Sequence, residues 1–352
     1  MADRIVATVD AKPPAINPLL ASAHRVEARD ADLFERRLQT FVPPAAFDVH
    51  AHLYPLVATG VEASGDEADV GLAVYQNLMG QWMGALAPNS GLFFGMPRPS
   101  SDLEAINRFV AIEVASSNER RGLMLIRPQD DPIEVERALQ EGGFSGFKVY
   151  HCFADRSPTM EAMLEEYLPD WAWEIANAQE LVLMIHLVRA EALADEANRR
   201  SLERCLRAYP RAKVVLAHAA RGFCAQHTLD GIDALVRFDN VYFDTSAICE
   251  PLAFAVILQR FGSTRLLFGS DFPVCMFRGR VVSVAEGFCW LAEQNLHGGE
   301  ATQATPTLIG IESLLALQQA ARLLRLKDGE VEQIFGQAAR SLLGITAAPA
   351  CG

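Results

Sequence analysis

Short apolar runs alternate with longer amphipathic segments from about residue 46 onward. Eight runs rich in Val, Ile, Leu and Phe are predicted to be strands: 46–54, 91–97, 122–128, 146–152, 181–188, 213–220, 240–247 and 265–274. The segments between them, such as 67–86, 160–178 and 191–209, place apolar residues at helical spacing. Strands that alternate with helices and are apolar on both faces are typical of a buried parallel sheet. Eight such units in series predict a closed (β/α)8 TIM barrel over residues 46–300.

A doubly wound open sheet is the alternative fold, but no GxGxxG motif opens the first helix. Residues 1–45 precede the barrel as an arm. Its segment 15–41 has a helical pattern that Pro43 and Pro44 end. Two further helices, predicted at 304–326 and 328–345, place residues 301–352 against the barrel as part of a single domain.

Composition narrows the class of protein. The chain has 352 residues and a net charge of -13, and so acidic a chain repels phosphate backbones, which argues against nucleic-acid binding. Seven scattered cysteines without a CxxC motif predict reduced thiols and a cytoplasmic location. No signal peptide or membrane-length apolar run is found. The extra terminal helices would suit a homodimer.

Four of the eight predicted strands end in His or Asp. These residues are His50 and His52 in FDVHAH, His186 in LMIH, His218 in VVLAH and Asp271 in LLFGSD. Catalytic groups of barrels lie at the C-terminal ends of strands. His50 and His52 are two apart on one strand, so both imidazoles point the same way, as shared metal coordination requires.

The spacing of these residues along the chain predicts that their strand ends meet at one end of the barrel, called the mouth below. The intervals from His52 to the next three residues are 134, 32 and 53 residues, which correspond to four, one and two βα units of about 32 residues. The candidate site residues are therefore predicted to lie on strands 1, 5, 6 and 8. In a closed barrel strand 1 is next to strand 8, and strand 5 is next to strand 6. Strict alternation places Asp48 on the same side as His50, where it could orient a histidine or cap a backbone amide.

With these motifs the sequence resembles the amidohydrolase superfamily, specifically its amidohydrolase-2 branch of hydrolases and decarboxylases. The matching pieces, from about residue 46 to 345, are FDVHAHLYP, LMIH, LAHAARGF, LLFGSDFPV and VEQIFGQAARSLLGI. The resemblance implies that His50, His52, His186 and Asp271 bind one divalent metal. Zinc suits three nitrogens and a carboxylate, and manganese is the alternative. It also implies that Asp271 accepts a proton from a metal-activated water, while His218 polarises the substrate or passes a proton.

Lys148, in GFKVYH on the fourth predicted strand, leaves the metal count open. In some branches of the superfamily a lysine at this strand is carboxylated and bridges two metals, and His186 and His218 would then bind the second ion. In mononuclear members the lysine is unmodified. We expect one metal.

Arginines that follow strands are candidates for substrate binding. Arg221, Arg278 and Arg280 could hold a carboxylate or phosphate through a guanidinium fork, or could be ordinary surface residues. His151 and His227 are weaker candidates for the mouth.

The expected activity is hydrolysis of a C–N or C–O bond in a small, anionic, carboxylated molecule. A decarboxylase of the same branch is the main alternative. An isomerase of sugar acids is a third, since FDVHAHLYP resembles uronate isomerases, although the chain is short for that group. A metal held only for stability would need a closed site, which this many strand ends does not suggest.

Overall fold

The computed structural model describes residues 26–60, 69–292 and 305–345. Eight barrel strands are β1 (Phe47–His52), β2 (Ser90–Phe94), β3 (Arg120–Gly122, continued as Met124–Leu125), β4 (Gly146–Val149), β5 (Val182–Ile185), β6 (Lys213–Leu216), β7 (Val241–Asp244) and β8 (Leu266–Leu267). Two more, β9 (Gly279–Val284) and β10 (Gly287–Ala292), form an antiparallel hairpin. The principal helices are α1 (Ala28–Arg37), α2 (Leu72–Met83), α3 (Leu103–Val114), α4 (Pro132–Glu141), α5 (Leu164–Tyr167), α6 (Asp170–Gln179), α7 (Glu196–Ala208), α8 (Ala225–Gly231), α9 (Pro251–Phe261), α10 (Ile309–Leu324), α11 (Asp328–Glu332) and α12 (Ala338–Leu342).

The eight barrel strands are parallel and follow one another around a closed circle. Each pairs with the next in sequence, and the backbone N–H of Leu123 donates to Phe93 O between β2 and β3. The residues just after β8 close the circle on β1: the N–H of Asp271 donates to His50 O at 2.8 Å, and Ala51 pairs with Phe272. The predicted (β/α)8 barrel is therefore confirmed, with strands shorter than the apolar runs that predicted them.

Side chains alternate along each strand, so one set packs in a core inside the barrel and the other packs in a core between the strands and the helices. Met184 packs inside the barrel with residues of other strands, whereas its neighbours Leu183 and Ile185 pack outward against the helices. The floor of the barrel is filled by the last helix and the residues after it. These residues are Ala338, Ala339, Leu342 and Ile345.

The predicted terminal helices are present, with different limits. α1 covers the central part of the predicted 15–41 helix, of which residues 15–25 lie outside the described residues. The predicted 160–178 helix is divided by Pro169 into α5 and α6. α10 and the segment 328–342 correspond to the two predicted C-terminal helices.

The β9–β10 hairpin is an element that the sequence analysis did not predict. Across residues 26–60, 69–292 and 305–345, no helix combines the length and the apolar character needed to cross a bilayer.

Candidate metal centre

A bulge in β1 determines which side chains reach the mouth. The pairing with β2 shifts register between Asp48 and Ala51, so Val49 packs inside the barrel. Asp48 instead accepts a hydrogen bond from the hydroxyl of Tyr75 in α2, at 2.8 Å. The prediction that Asp48 shares the face of His50 is wrong, because the bulge breaks the alternation. Its carboxylate caps the backbone N–H groups of His50 and Ser270, at 3.0 and 2.9 Å.

The structure brings His50, His52 and Asp271 together. Asp271 Oδ1 lies 3.3 Å from His50 Nε2 and 3.6 Å from His52 Nε2. The ligand atoms of the three residues lie within 4.8 Å of one another, and all three residues are buried. Two imidazole nitrogens and a carboxylate oxygen converge as a divalent cation requires.

The far side of each imidazole is held by the protein. His52 Nδ1 lies 2.8 Å from the carbonyl oxygen of Gly95, and His50 Nδ1 lies 2.8 Å from Asp244 Oδ2. Each Nδ1 therefore faces a hydrogen-bond acceptor, while each Nε2 faces Asp271 Oδ1. Metal-binding histidines show this arrangement, and the residues present fit a cation.

His218 and His186 lie beside this group. His218 Nδ1 is 3.8 Å from Asp271 Oδ2, and His218 Nε2 is 3.1 Å from His186 Nδ1. His186 does not belong to the compact groups of potential ligands found among the described residues. Its assignment as a fourth ligand stays a prediction.

Burial sets the charges of the mouth. Burial, together with the Lys148 charge, lowers the pKa of His50 to about 3, and burial also lowers the pKa values of His186 and His218. Burial alone would raise the pKa of Asp271, but the surrounding histidines, led by His218, hold it below its ordinary value. These shifts favour neutral imidazoles at His50, His186 and His218 and an ionised carboxylate at Asp271, the forms that bind metals.

Lys148 lies in the barrel interior without exposure to solvent. Its Nζ has no hydrogen-bond partner among the described residues, and it lies 5.0 Å from the ring centroid of Phe94 and 5.7 Å from that of Tyr150. Burial lowers its pKa to about 8, although Asp244 and Asp271 act in the opposite direction. An unpartnered buried amine is costly, which suggests a ligand or a modification as its partner.

A left-handed turn follows β6, so the strand ends before the predicted limit at residue 220. His218, Ala219, Ala220 and Arg221 have φ values of 55°, 50°, 59° and 61°. Such a conformation costs each L-residue roughly 1–2 kcal/mol. The carboxylate of Asp244 holds the turn by accepting from the backbone N–H of His218 at 2.8 Å.

The turn directs Arg221 toward the mouth. Its guanidinium donates to the carbonyl oxygen of Arg189 at 2.7 Å and lies 5.2 Å from the ring centroid of Phe288. Burial is the main cause of the lowered pKa values of His151 and His186, and the charge of Arg221 adds to both shifts, which indicates that it lies near them. A role for Arg221 in substrate binding remains a prediction.

Arg278 and Arg280 have structural partners instead. Arg278 forms a two-pronged ion pair with the fully buried Asp30 of α1, at 3.0 and 2.7 Å. Arg280 binds Glu312 at 2.8 Å and the carbonyl oxygen of Cys249 at 2.9 Å. Both guanidinium groups fasten elements of the fold, and their role in substrate binding stays a prediction.

The β9–β10 hairpin covers the loop that follows β6. Phe288 and Trp290 both contact Phe223, with ring centroids 4.9 and 5.6 Å apart, and Phe223 stacks on His218 at 5.5 Å. His227 fixes the hairpin turn, since its Nε2 lies 3.0 Å from the carbonyl oxygen of Glu286. His227 is thus an anchor for the hairpin.

The sequence analysis missed Asp244, which contacts both His50 and His218. The sequence pattern that identified the other site residues was present here too, because VYFD is an apolar strand that ends in a carboxylate. The hairpin had a weaker signal: the run RVVSV, then a short turn at Ala285–Glu286, then GFCW.

Comparisons with known proteins identify the family of this chain. A sequence profile described as amidohydrolase matches residues 47–345. The chain belongs to the amidohydrolase family. No curated protein matches this amidohydrolase in sequence.

Solved structures share the fold of this amidohydrolase at low identity. A protein described as a probable 2-pyrone-4,6-dicarboxylic acid hydrolase from Acinetobacter baumannii, with citric acid bound, is 14% identical; the match covers 85% of this chain and 99% of that chain, with a TM-score of 0.54. A 2,6-dihydroxybenzoate decarboxylase from Rhizobium is 12% identical, with 86% and 99% covered and a TM-score of 0.54. An amidohydrolase from Burkholderia multivorans with bound zinc is 14% identical, with 86% and 99% covered and a TM-score of 0.55.

Proposed function

We propose that this amidohydrolase is a metal-dependent hydrolase that cleaves a C–N or C–O bond in a small carboxylated molecule. The observation that carries the proposal is the placement of Asp271. Its Oδ1 faces His50 and His52, while its Oδ2 lies toward His218. One carboxylate can therefore serve a cation with one oxygen and a proton with the other.

His50, His52 and Asp271 would hold the cation, with His186 as the predicted fourth ligand. When bound, a divalent cation supplies Lewis-acid chemistry, which polarises an oxygen and makes a water more acidic. Zinc is the ion that we propose, because it suits this donor set and is present in an amidohydrolase of similar fold. Manganese is the alternative.

Asp271 and His218 would carry the proton steps. Asp271 is ionised near neutral pH, so it can accept a proton from the attacking water and later return it to the leaving nitrogen or oxygen. His218, 3.8 Å from Asp271 Oδ2, can polarise the substrate or share the proton.

Lys148 and Arg221 would hold the negative charge of the substrate. The Nζ of Lys148 lacks a hydrogen-bond partner within the described residues, so a carboxylate could satisfy it. Arg221 is oriented by the ring of Phe288 and keeps further N–H groups beyond the one that binds Arg189. Both residues are buried, where a charged pair is stronger than in water.

Decarboxylation is the second candidate, and the aromatic walls of the site favour it. The ring of Phe94 contacts those of His50 and His52 at 4.9 and 4.8 Å, and Tyr150 contacts His186 at 4.4 Å. Such walls suit a planar acid, and a dihydroxybenzoate decarboxylase has a similar fold. In that reaction a C–C bond breaks, carbon dioxide leaves, and a side chain of the site delivers a proton to carbon.

One experiment separates these outcomes. The zinc-loaded protein is incubated with carboxylated amides, esters and lactones and, in parallel, with hydroxybenzoates, and both acid release and carbon dioxide release are measured. Bond cleavage without carbon dioxide supports the hydrolase, whereas stoichiometric carbon dioxide supports the lyase. If the purified protein binds no metal and none of the added ions gives activity, both proposals are wrong.

A further inference from the structure

Three histidines of the mouth, His50, His218 and His186, belong to one hydrogen-bonded chain that begins at Asp244. A neutral imidazole has one N–H and one lone pair. If one ring nitrogen faces a group that can only accept a hydrogen bond, that nitrogen must carry the proton. The other ring nitrogen is then unprotonated. The identity of the partners at the barrel wall thus determines the tautomer of each ring.

Asp244 lies at the end of β7 and is fully buried. Its Oδ1 accepts from the backbone N–H groups of His218 and Ser246, at 2.8 and 3.1 Å, and from the Ser246 hydroxyl at 2.5 Å. Its Oδ2 lies 2.8 Å from His50 Nδ1, which also lies 3.1 Å from Ser246 Oγ. An ionised carboxylate cannot donate, so His50 carries its proton on Nδ1 and turns an unprotonated Nε2 toward Asp271.

The chain continues through Ser246. Because its hydroxyl donates to Asp244, Ser246 Oγ can only accept from His218 Nδ1, at 2.9 Å, and the Ser246 carbonyl oxygen accepts there as well, at 3.1 Å. His218 Nε2 is then unprotonated. His186 Nδ1, 3.1 Å away, must donate to it, and this leaves His186 Nε2 unprotonated as well.

We propose that Asp244 is a positioning residue that sets the tautomer of His50 directly and, through Ser246, supports those of His218 and His186. All the predicted nitrogen ligands then present an unprotonated Nε2. His52 reaches the same state independently, through the carbonyl oxygen of Gly95. That these lone pairs bind a cation rests on the proposed function. The assignment of the tautomers is independent of it.

The test uses the full chain, labelled with nitrogen-15 and freed of metal, because imidazole nitrogen shifts distinguish the two tautomers. In the wild type, His50 and His186 are expected to carry the proton on Nδ1. In Asp244→Asn, the amide oxygen must face the three donors that Oδ1 accepts now, so the NH₂ group faces His50 Nδ1. His50 is therefore expected to move its proton to Nε2, while His52 keeps its tautomer.

The second measurement is zinc affinity by competition with a chromophoric chelator. Asp244→Asn is expected to weaken zinc binding about 10- to 100-fold, as for other partners of metal-binding histidines. Asp48→Asn is the matched control. Asp48 is equally buried and also binds His50, but through the backbone N–H, so the tautomer of His50 should not change.

Two results would overturn the inference. One is a wild-type spectrum with the His50 proton on Nε2, which decides the matter even if Asp244→Asn does not fold. The other is a folded Asp244→Asn with the tautomer and zinc affinity of the wild type. If the wild type binds no zinc but shows the expected tautomers, the proposed function fails and the inference stands.

Discussion

Replacing Lys148 by methionine should stabilise the protein. Its Nζ is buried without a hydrogen-bond partner among the described residues, and burial lowers its pKa from 10.5 to about 8. A depressed lysine pKa means that folding disfavours the charged amine. The loss of folding stability caused by the charged amine is fully present below pH 8 and disappears as the pH rises past 10.5. The shift corresponds to about 3 kcal/mol at pH 7 and about 1 kcal/mol at pH 10.

Lys148→Met removes the charge and keeps a flexible side chain of similar length. The free energy of unfolding should rise by about 3 kcal/mol at pH 7 and by no more than about 1 kcal/mol at pH 10. Urea titrations of the metal-free protein at both pH values measure this. Lys213→Met is the control of opposite sign: Lys213 Nζ donates to the carbonyl oxygen of Leu342, so its loss should destabilise by about 1 kcal/mol.

The reasoning fails if Lys148→Met is no more stable than the wild type at pH 7. It also fails if the difference between the two proteins is the same at pH 7 and pH 10. A carboxylated Lys148 would make the difference depend on bicarbonate, so the titrations are repeated after bicarbonate is removed. On the proposed function, the stabilised variant should also turn over more slowly, because the substrate carboxylate loses a partner.

Three further outcomes are expected. Asp271→Asn should reduce turnover by about 10²- to 10⁴-fold with an unchanged circular dichroism spectrum, and near-normal turnover would remove Asp271 from the proton steps. Dialysis against a chelator should abolish turnover and added zinc should restore it; activity that survives complete metal removal would contradict the proposal. Arg278→Ala leaves Asp30 buried without its guanidinium partner and should lower the free energy of unfolding by about 3–5 kcal/mol in denaturant titrations. Turnover per folded molecule should not change, and a raised KM would instead point to a role in substrate binding.

The barrel and the centre of the site were predictable for a common reason. Parallel strands that close into a circle bring their C-terminal ends to one mouth, so residues far apart in sequence must meet there. His50, His52 and Asp271 satisfied this rule from their positions alone. Asp244 satisfied it too, and the same pattern would have found it.

Other features depended on information that local patterns lack. The bulge near Val49 arises from pairing with a neighbouring strand, and it reverses the side on which Asp48 lies. Arg278 is 248 positions from Asp30 in the sequence, so no local pattern identifies that partner. An arginine after a strand looks the same whether it awaits a substrate or fastens a helix.

The floor of the barrel has a consequence for the order in which the protein folds during synthesis. The helix that fills it, followed by Ile345, comes after all eight barrel strands in the sequence, so the ribosome makes every strand before it makes this segment. The pairing of β1 with the residues after β8 is similarly late. Until then, the apolar inner faces of the early strands lack their cover, and exposed surface of this kind promotes aggregation. The candidate metal site combines residues of β1 with Asp271, so it cannot form before that pairing.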